Sequence, residues 1–252
     1  MSTLLYPVSV IDYPDEDGQP MAESDFQRTP LIYAVESLRI YFQDREDVYV
    51  SGNMFVYYEQ GNPKAVVAPD VFVVIGAPRH DRASYKLWEE PKGPDFVLEI
   101  TSKSTYTEDQ GVKRGVYALL GVREYWQYDP TGDYLKPVLQ GWQLIERNYW
   151  PLPARRESNG SLLMHSVALG LDVQVTDGKL RFHDPVTGRI LHSHAEAVQA
   201  WQQAEQAQRQ AEQAQRQAEQ AQRQAEARAD YEAAQRQALQ VRLAELEAQL
   251  RG

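Results

Sequence analysis

The chain has 252 residues, 42% of them apolar and none cysteine, and its 26 lysines and arginines face 36 acids for a net charge of −10. That length and apolar content can build one sizeable core, and the missing cysteines exclude a disulfide framework and thiolate-ligated zinc or iron–sulfur centres. The acidic balance argues against a general basic nucleic-acid binder, and with no run of about 18 apolar residues and no signal-peptide pattern over residues 1–30, a cytoplasmic protein without a membrane partner is expected.

Residues 1–27 include the polar, Pro/Gly-punctuated stretch Asp12 to Pro20 and read as a loosely ordered arm. A domain is expected over 28–194 and a long helix or coiled coil over 195–252. From Thr29, with Pro30 in the first turn, Leu31, Ala34, Val35, Leu38 and Tyr41/Phe42 fall at helical spacing, which predicts a helix to about Gln43. Glu36 lies off that apolar stripe, either on a solvated face or as an extra carboxylate toward a cleft.

Val48–Val50 and Met54–Tyr58 read as strands, then Ala65–Ile75 as an apolar strand interrupted by Pro69-Asp70. Proline there implies a bulge or a sheet edge and sets the following acid at an irregular point of the backbone. The segment Pro78–Trp88, with Arg79, His80, Arg82 and Lys86, reads either as plain surface loop or as a phosphate-contacting rim.

In the next stretch Phe96, Leu98 and Ile100 alternate with Asp95, Val97 and Glu99, a strand with Glu99 turned away from its most apolar face. A carboxylate inside so apolar a run needs a partner, a rim or a cation. After a Ser/Thr-rich turn, Asp109, Lys113 and Tyr117 recur every four residues on one face of a helix that Gly121 stops, and Glu124–Asp129 reads as another strand. Strand, helix, strand is the right-handed crossover of a mixed sheet.

Further strands are expected over Lys136–Leu144, Leu162–Val175 and Lys179–Phe182, with loop over Leu152–Asn159. The histidines at 165, 183, 192 and 194 are spaced too irregularly to make a metal motif. The heptad Ala-Glu-Gln-Ala-Gln-Arg-Gln then repeats at Ala204, Ala211 and Ala218, and Leu239, Leu243, Leu246 and Leu250 follow at spacings of 4, 3 and 4. A coiled coil would need a stutter near residues 225–232, and the leucine end is expected to carry homo-oligomerisation. The tail holds nine acids and seven bases, so −8 of the net charge lies on residues 1–195.

Asp70 and Glu99 on neighbouring strands, with Lys113 approaching from the helix, would suit Mg2+ or Mn2+ and the hydrolysis of a phosphodiester. As a set, Pro69-Asp70, Glu99-Ile-Thr-Ser-Lys-Ser-Thr, Asp109 with Lys113 and Tyr117, Gly121-Val-Arg-Glu-Tyr-Trp and Asp129-Pro130 resemble the Uma-two family. That family belongs to the restriction-endonuclease-like superfamily, whose motif is Pro-Asp…(Asp/Glu)-x-Lys. The resemblance spans about residues 25–192 and includes Leu180-Arg-Phe-His-Asp-Pro.

It implies an α/β (α+β) fold with a mixed central sheet flanked by helices, a metal-dependent endonuclease acting on DNA, and Asp70 and Glu99 as metal ligands. The sequence departs from the motif at Thr101, where the lysine would stand, which leaves Lys113 as the catalytic amine and Lys103 as its competitor. Glu36, Asp109 and Tyr117 complete the accessory candidates, although Tyr117, Tyr125 and Trp126 also suit packing. The competing reading is a nuclease-like scaffold that no longer cuts and whose tail recruits partners.

Overall fold

The computed structural model describes residues 11–15, 24–102, 105, 107, 109–157 and 160–251, the side chains of 244–251 excepted. Two compact units divide it, residues 1–195 and 196–252.

In the first unit the strands are β1 (Val48–Ser51), β2 (Val56–Tyr57), β3 (Val66–Val67), β4 (Val71–Ile75), β5 (Tyr85–Lys86), β6 (Phe96–Ile100), β7 (Glu124–Tyr128), β8 (Leu139–Ile145) and β9 (Asn148–Pro151). Four more, β10 (Ala154–Arg156), β11 (Leu162–Ser166), β12 (Leu171–Thr176) and β13 (Lys179–His183), form an antiparallel sheet in sequence order. The central sheet runs β1-β4-β6-β7-β8-β9, and within it only the β6–β7 pair is parallel. A small third sheet orders β3-β2-β5.

The parallel β6–β7 pair requires a crossover, and the chain supplies it as a π-helical turn, Asp109–Lys113, continued by helix α2 (Arg114–Leu120). Gly121 ends α2 in the left-handed conformation at φ 75°, where its missing Cβ removes the steric penalty. Both faces of β6 are buried, as expected of a strand that faces a layer on each side. Phe96, Leu98 and Ile100 join one core with Leu38, Trp126 and Phe182, whereas Val97 joins another with Phe72, Tyr117 and Tyr125. The two-residue alternation thus sorts β6 as anticipated, with Glu99 on the Val97 face.

Helix α1 (Asp25–Tyr41) begins four residues before the predicted start, so Pro30 stands inside it rather than in its first turn. The amides of Gln27 and Arg28 donate to the Ser24 carbonyl, and Asp25 places a carboxylate at the positive end of the helix dipole, so an N-terminus forms upstream of the proline. Tyr33 ties α1 to the second sheet, donating to the Leu191 carbonyl (2.9 Å) and accepting from the Phe182 amide (3.0 Å). Tyr13 packs against Tyr57 and Trp88, and the Tyr57 hydroxyl donates to the Pro14 carbonyl, which docks residues 13 and 14 on the small sheet.

The expected loop over 152–159 contains β10, and the expected run over 162–175 is two strands joined by a turn at Gly170 (φ 70°). Helix α3 (His194–Arg251), 58 residues without a break through residues 225–232, makes up the described part of the second unit from Glu196 onward. Among the described residues no helix is long and apolar enough to cross a membrane.

Candidate active site

β3 ends at Val67 and β4 starts at Val71, so Pro69 and Asp70 sit in the interruption itself. Its Oδ2 accepts the Ile100 amide at 2.6 Å, which fixes the carboxylate beside the end of β6. Gly52 permits this approach: a Cβ there would lie 2.2 Å from the Asp70 carbonyl oxygen and 2.9 Å from Val35. The neighbouring Asn53 amide donates to the Pro69 carbonyl at 3.0 Å. Sequence and tertiary structure therefore cooperate to hold one acid at a strand entrance.

Glu99 is fully buried, and both its oxygens are engaged by the crossover helix. Lys113 donates to Oε2 at 3.1 Å and Tyr117 to Oε1 at 2.6 Å. Lys113 also pairs with Asp109 Oδ1 at 3.0 Å, and its side chain is only 12% exposed. The spacing of Asp109, Lys113 and Tyr117 does bring all three together, across a π-helical turn that the repeat does not reveal.

Burial pushes the Glu99 carboxyl up to about 8. Lys113 and the Tyr117 hydrogen bond oppose the rise, while the charges of Asp70 and Asp109 add to it. Lys113 moves upward too: burial disfavours its charge, but Glu99, Asp109 and Asp70 outweigh that cost and keep it an ammonium. The elevated Glu99 value means that one ammonium does not fully offset burial and two acidic neighbours.

The same face of β7 adds Gln127, which the sequence did not single out, and a polar role for Tyr125. Gln127 stands opposite Glu99 in register and is 1% exposed; its Nε2 donates to the Tyr125 hydroxyl (3.1 Å), and its buried Oε1 has no hydrogen-bond partner. Tyr125 in turn donates to the Asp109 carbonyl at 2.7 Å, so it is a polar strut as well as a packing residue. An amide in a strand otherwise rich in aromatics was the available signal, but it has meaning only once β7 is set beside β6. Thr101, at the motif position where a lysine would stand, is 2% exposed and its hydroxyl also lacks a partner.

Glu36 is not brought into this group by its hydrogen bond: its Oε2 accepts the His194 amide at 3.1 Å. Lys103 lies outside the described residues. In the basic loop, Arg82 is already committed, with a side chain 4% exposed, paired with Glu90 at 2.6 Å and set over the Tyr49 ring. Its guanidinium also donates to the carbonyls of His80 and Pro78, so it folds the loop instead of forming a phosphate-contacting rim. His165 pairs with Asp172 at 2.7 Å.

A profile of the Uma2 family, described as "Putative restriction endonuclease", matches residues 13–176. The chain belongs to the Uma2 family. Asp70, Glu99, Asp109, Lys113, Tyr117 and Gln127 all fall within the Uma2 match. A crystal structure titled as a putative nuclease belonging to DUF820 from Anabaena variabilis is similar at 13% identity and a TM-score of 0.41. The similarity covers 60% of this chain and 76% of that one. No curated protein matches the chain.

Proposed function

We propose that this Uma2 protein is a metal-dependent endonuclease that hydrolyses DNA phosphodiester bonds, with Asp70, Glu99 and Lys113 as its working groups. The observation that carries the reading is the buried Glu99, held between Lys113 and Tyr117 and still short of positive charge. Asp70 and Glu99 offer the hard oxygen donors that Mg2+ or Mn2+ prefers, and the buried Gln127 Oε1 is a further acceptor on the same face. Among the described residues no three histidines or acids are arranged to hold a metal. Magnesium commonly takes one or two carboxylates and completes its shell with water and substrate phosphate, so two acids fit it.

When bound, the ion would supply charge neutralisation and a more acidic water. Asp70 and Glu99 would hold it, and the backbone amide of Ile100 keeps the Asp70 carboxylate aimed. Lys113 would steady negative charge developing on the phosphate, and Tyr117 would fix the Glu99 carboxylate.

Plasmid nicking in Mg2+ or Mn2+ tests this directly. Asp70→Ala and Glu99→Gln should each abolish cleavage, and Lys113→Met should slow it about 10²–10³-fold. Cleavage that survives both acid substitutions removes the assignment.

A second reading, a nuclease-like scaffold that does not cut and whose tail self-associates or recruits partners, draws on two observations. Lys113 already compensates part of the Glu99 charge without an ion, and α3 offers 58 residues of helix. Calorimetry separates the two: Mg2+ or Mn2+ binding that Glu99→Gln removes favours the enzyme, and heat-silent titrations favour the scaffold.

A further inference from the structure

Beyond Glu99 the structure has a second feature that hydrolysis does not use. A cleft of about 570 Å³ lies where β6 and β7 end, walled by Phe26 and Gln27 of the first turn of α1, by Thr101 and Ser102, and by Thr131 and Tyr134 of the segment after β7. Its size falls within the usual range of small-ligand pockets. Among the described residues no lysine, arginine, aspartate or glutamate lines it.

Two features make it a built site. Thr101 is 2% exposed, lines the cleft, and has a hydroxyl with no hydrogen-bond partner, so a donor or acceptor inside the wall is unspent. Phe26 is 65% exposed although it is a large apolar ring, and Tyr134 supplies a second aromatic wall. Aromatic faces beside one unspent hydroxyl, that of Thr101, are a composition that stacks an unpaired base and meets its polar edge.

Position links this cleft to the proposed chemistry. Thr101 follows Glu99 by two residues, just past the end of β6, so the two are separated by roughly 7 Å along the chain. A strand whose phosphate lies at Glu99 would therefore bring a neighbouring base to Thr101.

We infer that the cleft between the first turn of α1 and the segment after β7 takes an unpaired nucleobase next to the scissile phosphate, so that the preferred substrate is single-stranded DNA. The inference rests on the nuclease reading for the position of the phosphate. A base held in a duplex is stacked and paired and would have to leave the helix to enter, which costs affinity.

The test titrates the full chain in EDTA with labelled single-stranded oligothymidylate and with a duplex of the same length, and follows anisotropy. Cleavage in Mg2+ is measured in parallel. Single strands should bind about tenfold tighter than duplex, and Phe26→Ala should remove about tenfold of that affinity. Thr101→Val should weaken it about fivefold while leaving the melting temperature unchanged or higher, because it deletes a buried hydroxyl that has no partner. A purely structural Thr101 would not separate those two readouts.

Equal affinity for both forms, or no effect of either substitution, overturns the inference, and DNA cleavage by the same wild-type protein then leaves the nuclease reading in place. Phe26-dependent binding of single strands without cleavage has the opposite meaning: the base site stands and hydrolysis falls.

Discussion

At the scale of single residues, acids in this chain are set by what surrounds them, and two of them show opposite outcomes. Glu99 is buried with acidic neighbours and rises to about 8, which costs stability at neutral pH. Asp129, also buried, goes the other way. Its Oδ1 accepts the amides of Thr131 and Gly132 and the Thr131 hydroxyl, and its Oδ2 accepts the amides of Tyr134 and Leu135. Burial alone would push this carboxyl up, but those donors prevail and hold it below the ordinary 3.8. A carboxyl with a depressed folded pKa contributes stability in full above its unfolded value and loses it as pH falls through the folded one. Asp129→Asn turns an NH2 toward at least one backbone donor and should cost about 2 kcal/mol at neutral pH. Urea melts of both proteins should show that difference begin to shrink below about pH 3.8 and close only as pH falls through the lower folded value, where folded wild-type Asp129 takes up its proton.

At the scale of elements, two glycines separate packing from positioning. A Cβ on Gly141 of β8 would lie 2.8 Å from ring carbons of Trp126, whereas one on Gly52 would lie 2.2 Å from the Asp70 carbonyl oxygen. Gly141→Ala should therefore cost about 1–3 kcal/mol by overpacking. Gly52→Ala should cost a similar amount and also displace Asp70, so its cleavage rate should fall much further than that of Gly141→Ala at matched stability. Melting temperatures and nicking rates measured on both variants check the contrast, and equal losses of activity would contradict it. The elements behind these sites were legible where one local rule sufficed. Alternation placed Glu99 on its face, the four-residue spacing joined Asp109, Lys113 and Tyr117, and Gly121 stopped the helix. What remained hidden depended on pairing between distant segments. Gln127 joins the site only because β7 lies parallel to β6 in that register, and Arg82 leaves the basic rim only because Glu90 and Tyr49 fold against it. The start of α1 was missed for a local reason, since Pro30 drew the boundary to itself while Ser24 and Asp25 already provide an N-terminus.

At the scale of the whole molecule, the unit of residues 196–252 has to be explained by a different balance from the globular one. Over the repeats, exposed side chains bond along α3, with Arg209 to Glu205 at 2.6 Å and Gln208, Gln215 and Gln222 each donating to the glutamate four residues on. Such pairs are worth only a few tenths of a kcal/mol each, but they add along a helix of about 87 Å and favour helix without requiring a partner. Burial is therefore what would drive association, and alanine supplies little of it. Leu239 and Leu243, 69% and 61% exposed in the isolated chain, bring much more apolar area. If self-association runs through this end, Leu239→Glu with Leu243→Glu should convert the protein to monomer in sedimentation velocity, as should deletion of residues 200–252. Replacing the repeat alanines 204, 211 and 218 with serine should leave the sedimentation coefficient near that of the wild type, because each change removes little apolar area and keeps the surface pairs. A wild-type chain already monomeric at high concentration would show that the exposed leucines do not pair with a second copy, and would leave the tail to a different partner.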